Sequence, residues 1–335
     1  MEKHKGMDFF PFVLYSGKVV FAAFSIHERT KEPMSKSMRA NLLLLLTAFI
    51  WGVAFVAQDV AADTIPPLSF NGLRMALAAL ALLPTVWLMD RRTARGNGEG
   101  LVWKQMTSRQ KKELLWGGVC CGVMLTLGSA FQQMGISLGT GAGKAGFITA
   151  LYIVLVPLAG IFLRKRVGWL VWLAVGLSVL GLYLLCMQGS LRLDPGDGML
   201  ILCAASYTGH ILVVDHFSRR TDCVKMSCLQ FAVTSALCLM GALLFETLSW
   251  QAVRTCLIPI LYAGVLSGAA GYTLQILAQR DAEPTVASLL MSLESVFAVL
   301  AGWVLLGDRL SLRELAGCVL MMGGIVLAQL PQKNK

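Results

Sequence analysis

The sequence predicts an all-α integral membrane protein of about ten transmembrane helices, arranged as two inverted-topology five-helix repeats. Three observations predict it. Apolar runs long enough to cross a bilayer recur along the whole chain. Only 14% of the residues are charged while 56% are hydrophobic, against about 25% charged in an average soluble protein. The second half of the chain also echoes the first.

A spanning helix needs roughly 20 predominantly apolar residues. Ten segments qualify: Ala40–Gln58, Leu68–Met89, Leu114–Leu138, Lys144–Leu163, Gly168–Met187, Gly198–Phe217, Val224–Phe245, Leu257–Ala278, Pro284–Leu306 and Leu312–Leu330. Barrel strands would be shorter and alternate in polarity. The connections are short except Asp90–Glu113, which is rich in basic residues and Gly. The expected organisation is a cytoplasmic segment 1–39, a first repeat over 40–190, a second over 196–330 and a cytoplasmic tail 331–335. Within the first segment, Met34-Ser-Lys-Ser-Met-Arg39 reads as a native start, with 1–33 as an upstream extension. The alternative for 1–33 is an interfacial segment.

The net charge of +10 does not point to nucleic acid, because the basic residues sit in short clusters between apolar runs. With the N-terminus inside, the inner segments carry eighteen Lys and Arg and the outer loops five: Lys144, Arg192, Arg254, Arg309 and Arg313. This count omits 1–33 and the intramembrane Arg74. Basic residues concentrate in cytoplasmic loops, so both termini are expected in the cytoplasm and the chain in the plasma membrane. Trp169 and Trp172, beside Arg164–Arg166, read as interface anchors. The nine cysteines form no C-x-x-C pair and read as small packing residues.

The duplication is visible helix by helix. Leu151-Tyr-Ile-Val-Leu-Val-Pro-Leu-Ala-Gly160 aligns with Leu293-Glu-Ser-Val-Phe-Ala-Val-Leu-Ala-Gly302. Gly128-x-x-x-Gln132 matches Gly271-x-x-x-Gln275, and Val175-Gly176-Leu177 matches Ala316-Gly317-Cys318. Thr47–Trp51 lies on Cys203–Tyr207, which also brings Asp59 onto Asp215. Five crossings per half send the second half into the membrane from the opposite side. Inverted repeats are a transporter device, in which two half-bundles rock about a midplane site.

The segment Thr47-Ala-Phe-Ile-Trp-Gly-Val-Ala-Phe-Val-Ala-Gln58 resembles the opening of EamA-type members of the drug/metabolite transporter superfamily. So do Gly143–Thr149, Leu293–Phe297 and Gly302–Asp308. The resemblance covers about 36–332. It implies a central cavity and movement of amino acids, other metabolites, toxic compounds or sugar derivatives, with amino acids or related compounds and export the preferred reading. It implies no cofactor and no catalytic residue. The expected partners are a small-molecule substrate, membrane lipid, and H+ or a counter-substrate, in a monomer or homodimer that binds no nucleic acid. A membrane-embedded enzyme and a channel are the alternatives, but no H-E-x-x-H, G-x-S-x-G or intramembrane aspartate dyad is present. Gly139–Gly146 imitates a phosphate-binding loop but has Leu138 and Ala145 where that motif needs Gly and Ser or Thr. It reads as a tight external turn.

Ionisable groups at membrane depth are costly, so each is a candidate functional residue. Glu294 lies mid-helix beside the stripe Ser288, Ser292 and Ser295. It holds a cationic substrate group, carries a coupling proton, or bonds across helices. His210 shares a helix face with Tyr207 and serves in coupling or packing. Arg74, beside Asn71, clamps a carboxylate or snorkels to the interface, with snorkelling preferred. Gln132 and Gln275, related by the repeat, line the path or bond between helices. Trp51, Phe55 and Gln58 form one stripe of the first helix, and Tyr152 completes the candidate set. Pro157, mid-helix opposite Val299 in the repeat, is expected to kink the fourth helix and serve gating.

Overall fold

The computed structural model describes residues 35–95, 102–140, 142–164, 167–187, 194–306 and 311–330; residues 1–34, and with them the expected start at Met34, lie outside this set. Ten helical segments cross-pack: α1 (Lys36–Ala62), α2 (Pro67–Ala94), α3 (Ser108–Ser137), α4 (Ala142–Ala150 and Tyr152–Phe162), α5 (Trp169–Cys186), α6 (Pro195–Ser218), α7 (Cys223–Phe245), α8 (Leu257–Gln279), α9 (Pro284–Met291 and Glu294–Leu306) and α10 (Leu312–Ala328). Among the described residues, α1 to α9 are long and apolar enough to span a bilayer. The seventeen residues of α10 bring the number to the ten expected.

Local chemistry sets the helix starts. Thr107 accepts from Gln110 N–H at 3.3 Å to open α3, and Ser311 does the same for Glu314 at 3.2 Å to open α10. At the start of α2 the cap comes from the other half of the chain. Leu68 N–H and Ser69 N–H donate to the Glu246 carboxylate at 2.8 and 2.7 Å. A residue at the end of α7 therefore satisfies the first N–H groups of α2.

The halves interdigitate rather than sit side by side. α3 packs along α6 as α8 packs along α1, α4 meets α6 as α9 meets α1, and the α2–α7 and α5–α10 pairs each join one half to the other. Exchanging the halves maps this packing onto itself, which is a pseudo-two-fold arrangement. Small residues permit the close crossings. A Cβ on Gly52 would lie 2.6 Å from the Glu294 carbonyl and from Phe297 Cβ, so α1 meets α9 backbone to backbone. The outer surface is apolar: Phe162, Leu243 and Phe245 are 87%, 86% and 82% exposed, which suits lipid and would be an aggregation site in water. Trp169 is exposed among them and Trp172 is half-buried.

Three helices depart from the regular form that their apolar patterns predict. In α8, Tyr262–Tyr272 is a π-helix, a geometry whose ladder runs i→i+5. α1 bonds to two of its carbonyls: Trp51 Nε1 donates to Ser267 O at 3.2 Å, and Thr47 Oγ1 shares its proton between Leu43 O at 2.9 Å and Gly271 O at 3.3 Å. In return Tyr262 OH donates to Ile50 O at 3.1 Å. α4 is the second departure. It is interrupted at Leu151, six residues before Pro157, not at the proline. α9 breaks at Ser292–Leu293, the repeat-equivalent place, with Val299 where α4 has Pro157. Leu151 N–H bonds Ile148 O at 3.2 Å, and Leu293 N–H bonds Leu290 O at 3.3 Å. Both helices tighten by the same three-residue step, so the break belongs to the repeat and recurs in α9 without a proline.

A candidate substrate site on the pseudo-two-fold axis

The breaks in α4 and α9 deliver Tyr152 and Glu294 to the middle of the bundle. The two residues are repeat mates, and Tyr152 OH donates to Glu294 Oε1 at 3.1 Å. They line a cavity of about 40 Å³, room for a few water molecules at 10–15 Å³ each.

Twelve of the sixteen lining residues form six repeat-related pairs: Trp51 with Tyr207, Ala54 with His210, Phe55 with Ile211, Gln132 with Gln275, Thr149 with Met291, and Tyr152 with Glu294. The cavity therefore sits on the pseudo-two-fold axis. Even its glycines obey the symmetry. A Cβ on Gly128 would lie 2.9 Å from the Tyr207 ring, and one on its mate Gly271 would lie 2.6 Å from Trp51 Nε1. Each half rests an aromatic side chain on a bare glycine of the other.

The four unpaired lining residues are Gln58, Arg74, Ser267 and Tyr272. Arg74 is buried, with 2% of its surface exposed, so it does not snorkel. Its Nε donates to Asn71 Oδ1 at 2.8 Å, and Asn71 Nδ2 donates to Ser129 O at 3.0 Å. Asn71 is the one candidate binding residue that does not line the cavity; it orients the guanidinium that does. Arg74 Nη2 has no hydrogen-bond partner, and neither do Gln58 Oε1 and Gln275 Oε1. Among the described residues no ion pair joins Arg74 to Glu294. A cation and a carboxyl thus face one small cavity with donor and acceptor atoms unused, which leaving buried makes costly.

Aromatic groups wall the same space. The Trp51 and Tyr272 rings are 4.6 Å apart, and His210 meets Tyr272 edge-on at 5.8 Å. Tyr207 OH lies 3.3 Å from Tyr272 OH and donates to Gln132 Oε1 at 3.5 Å. His210 Nε2 pairs with Gln230 Oε1 at 3.0 Å. Gln275 Nε2 reaches Gln279 Oε1 at 3.0 Å, one turn further along α8. The stripe Ser288, Ser292 and Ser295 is buried outside the cavity, where Ser288 and Ser292 bond backwards to Thr285 O and Leu289 O. Pro157 is also buried away from it.

Sequence reasoning missed Tyr272, Thr149, Ser267 and Met291. Tyr272 was within reach, since it lies three residues before Gln275 on one helix face inside the repeated Gly-x-x-x-Gln motif. Thr149 and Met291 are repeat mates just ahead of the aligned stretch. Ser267 lies in the π-helix, where its carbonyl accepts from Trp51 Nε1, and no local pattern announces that.

The model of the EamA-like transporter family matches residues 38–187 and again 194–330. The chain belongs to that family. Its double match coincides with the two halves of the bundle. The chain is 26% identical over 306 residues to an uncharacterized transporter of Archaeoglobus fulgidus, covering 88% of this chain and 87% of the relative. It is 27% identical over 301 residues to the uncharacterized transporter YwfM of Bacillus subtilis, covering 88% and 95%. Protein PagO of Salmonella typhimurium is 22% identical over 305 residues, covering 87% and 93%. One crystal structure superposes with a TM-score of 0.70 over 88% of this chain and 99% of its own, at 19% identity, which shows a shared fold. This EamA-family protein is a multi-pass membrane protein of the drug/metabolite transporter superfamily.

Proposed function

We propose that this EamA-family chain is a secondary transporter of small zwitterionic metabolites, amino acids or related compounds, working by alternating access in the plasma membrane with both termini cytoplasmic. The observation that carries the substrate class is the pairing of Arg74 and Glu294 across one axial cavity, with Arg74 Nη2 unpartnered. A guanidinium recognises a carboxylate in a forked geometry, and a carboxylate recognises an ammonium. The aromatic wall of Trp51, Tyr207 and Tyr272 receives the apolar part of the substrate. Gln132 and Gln275 supply polar contacts on symmetry-related sides, and His210 and Tyr152 tune the site or carry a coupling proton with Glu294. The basic bias of the loops supports the orientation. Export rests on the family resemblance.

A thermal-shift series on the purified protein tests the substrate class. A zwitterionic amino acid present at about 100 times its dissociation constant adds roughly 2.7 kcal/mol of apparent stability. Its decarboxylated amine and its deaminated acid should each give less. Arg74→Gln should lose the preference for the carboxylate, and Glu294→Gln the preference for the ammonium. Equal stabilisation by amine, acid and zwitterion would defeat the proposal.

A further inference from the structure

The two mouths of the bundle are built from equivalent helices but not from equivalent chemistry. At one mouth the end of α3, the start of α4 and the start of α6 converge. Ile136, Ala145, Ile148 and Leu200 form an apolar plug there. At the other mouth the repeat mates Leu44, Ala287 and Leu290 belong to the main core, with Gln279 in the place of Ile136. Above the first plug lies an ionic cluster. Lys144 Nζ is 2.6 Å from Asp197 Oδ2 and 2.8 Å from Asp194 Oδ2. Asp194 N–H also donates to Asp197 Oδ2 at 2.8 Å. The Asp197 side chain is 1% exposed and the Lys144 side chain 20%. At the second mouth the mate of Lys144 is Val286 and the mate of Asp197 is Asn41, which bonds to Gln329 Oε1 at 3.2 Å instead. Among the described residues no ion pair joins α9 to α1 there.

The pair at the first mouth ties two elements that alternating access must separate. α6 cannot yield alone, because its first turn is pressed onto the end of α3 and the turn after it: a Cβ on Gly196 would lie 2.7 Å from the Gly135 carbonyl and 2.2 Å from Thr140 Oγ1. α4 is the element left to move, and Lys144 is its tether. Separating the two leaves a carboxylate that is buried as long as the mouth stays shut, and a buried charge without its partner is strongly destabilising.

We propose that Lys144, Asp194 and Asp197 form an ionic lock that holds the α3–α4–α6 mouth shut and biases the resting transporter toward opening at the α1–α8–α9 mouth. By the charge bias of the loops, the locked mouth is the external one. The inference rests on the alternating-access reading but needs no substrate. In Lys144→Met the closed mouth contains an unpaired Asp197, whereas the open mouth hydrates it, so the balance moves toward opening.

Hydrogen–deuterium exchange on the full chain in lipid nanodiscs tests this. Lys144→Met and Asp197→Asn should each speed exchange over 142–150 and 194–200 by about tenfold, the effect of moving a two-state balance by one decade. A merely local staple would stop there. Breaking a lock also slows exchange at the opposite mouth, over 36–44 and 284–291, because opening one side closes the other. The reverse transplant, Asn41→Asp with Val286→Lys, should slow exchange over 36–44 and 284–291 and speed it over 142–150. If the first variants do not fold, the transplant decides alone. Exchange that changes only beside each substitution overturns the lock, and it does so whether or not the thermal-shift series has found a substrate.

Discussion

The two halves of this protein share a scaffold and differ in what they hang on it. α4 and α9 break at the same repeat position, and α1 and α6 each lay an aromatic ring on a glycine of the other half. Yet in the cavity lining Glu294 stands where the first half has Tyr152, His210 where it has Ala54, and Met291 where it has Thr149. Only the Gln132–Gln275 pair keeps its residue type. The first half adds Arg74 and Gln58, and the second adds Tyr272 and the π-helix over Tyr262–Tyr272. The difference teaches where selection for mechanism and selection for chemistry act. The proposed rocking needs hinges and close crossings in both halves, and those positions are equivalent. Binding an asymmetric molecule needs unlike groups on either side of the axis, so the lining diverges.

The largest test of this division is at its centre. Glu294→Gln should reduce substrate flux in proteoliposomes by about a hundredfold or more, since an ionisable group held at membrane depth is kept for function. Tyr152→Phe removes only one hydrogen bond of about 1 kcal/mol, so flux should fall severalfold. Equal losses would mean that the pair acts as a structural unit and that the halves are chemically alike at the axis.

Close crossings come next. Gly52→Ala drives a methyl into the Glu294 carbonyl and Phe297 Cβ, both at 2.6 Å, where backbone cannot give way. It should cost about 1–3 kcal/mol, read as a lower unfolding temperature. Gly271→Ala and Gly128→Ala sharpen the symmetry argument. Each meets a ring, at 2.6 and 2.9 Å, and the Gly271 variant should be the worse because it also disturbs the Trp51 bond to Ser267 O. Both should cost about 1–2 kcal/mol.

The smallest effect concerns the proline. Pro157→Ala should leave flux within about threefold of wild type, because a proline bends a helix through the turn before it and α9 breaks at the same place without one. A large loss would return the hinge of α4 to Pro157 and separate the mechanics of the two halves.

Much of the candidate site was legible in the sequence. Glu294, His210 and Arg74 stand out wherever a bilayer makes ionisable groups expensive, and the glutamines were visible as repeat mates. What was not legible is where each side chain points. Arg74 reads as a snorkelling residue near a helix end, since the pattern does not reveal that Asn71 holds it inward at 2.8 Å. Tyr272 reads as one more apolar position.

The chain by itself determined that this is a membrane protein, that it has ten helices in two inverted halves, and which family it resembles. Those properties follow from the length of apolar runs, the distribution of charge and the recurrence of short motifs, all of which are local or periodic. Tertiary structure decided the rest: the π-helix in α8, the convergence of six mated pairs on one axis, and the unequal mouths. Each depends on contacts between residues far apart in sequence, such as Trp51 with Ser267, Tyr152 with Glu294 and Lys144 with Asp197. Such contacts exist only once the two halves have interdigitated, because neither half provides both partners.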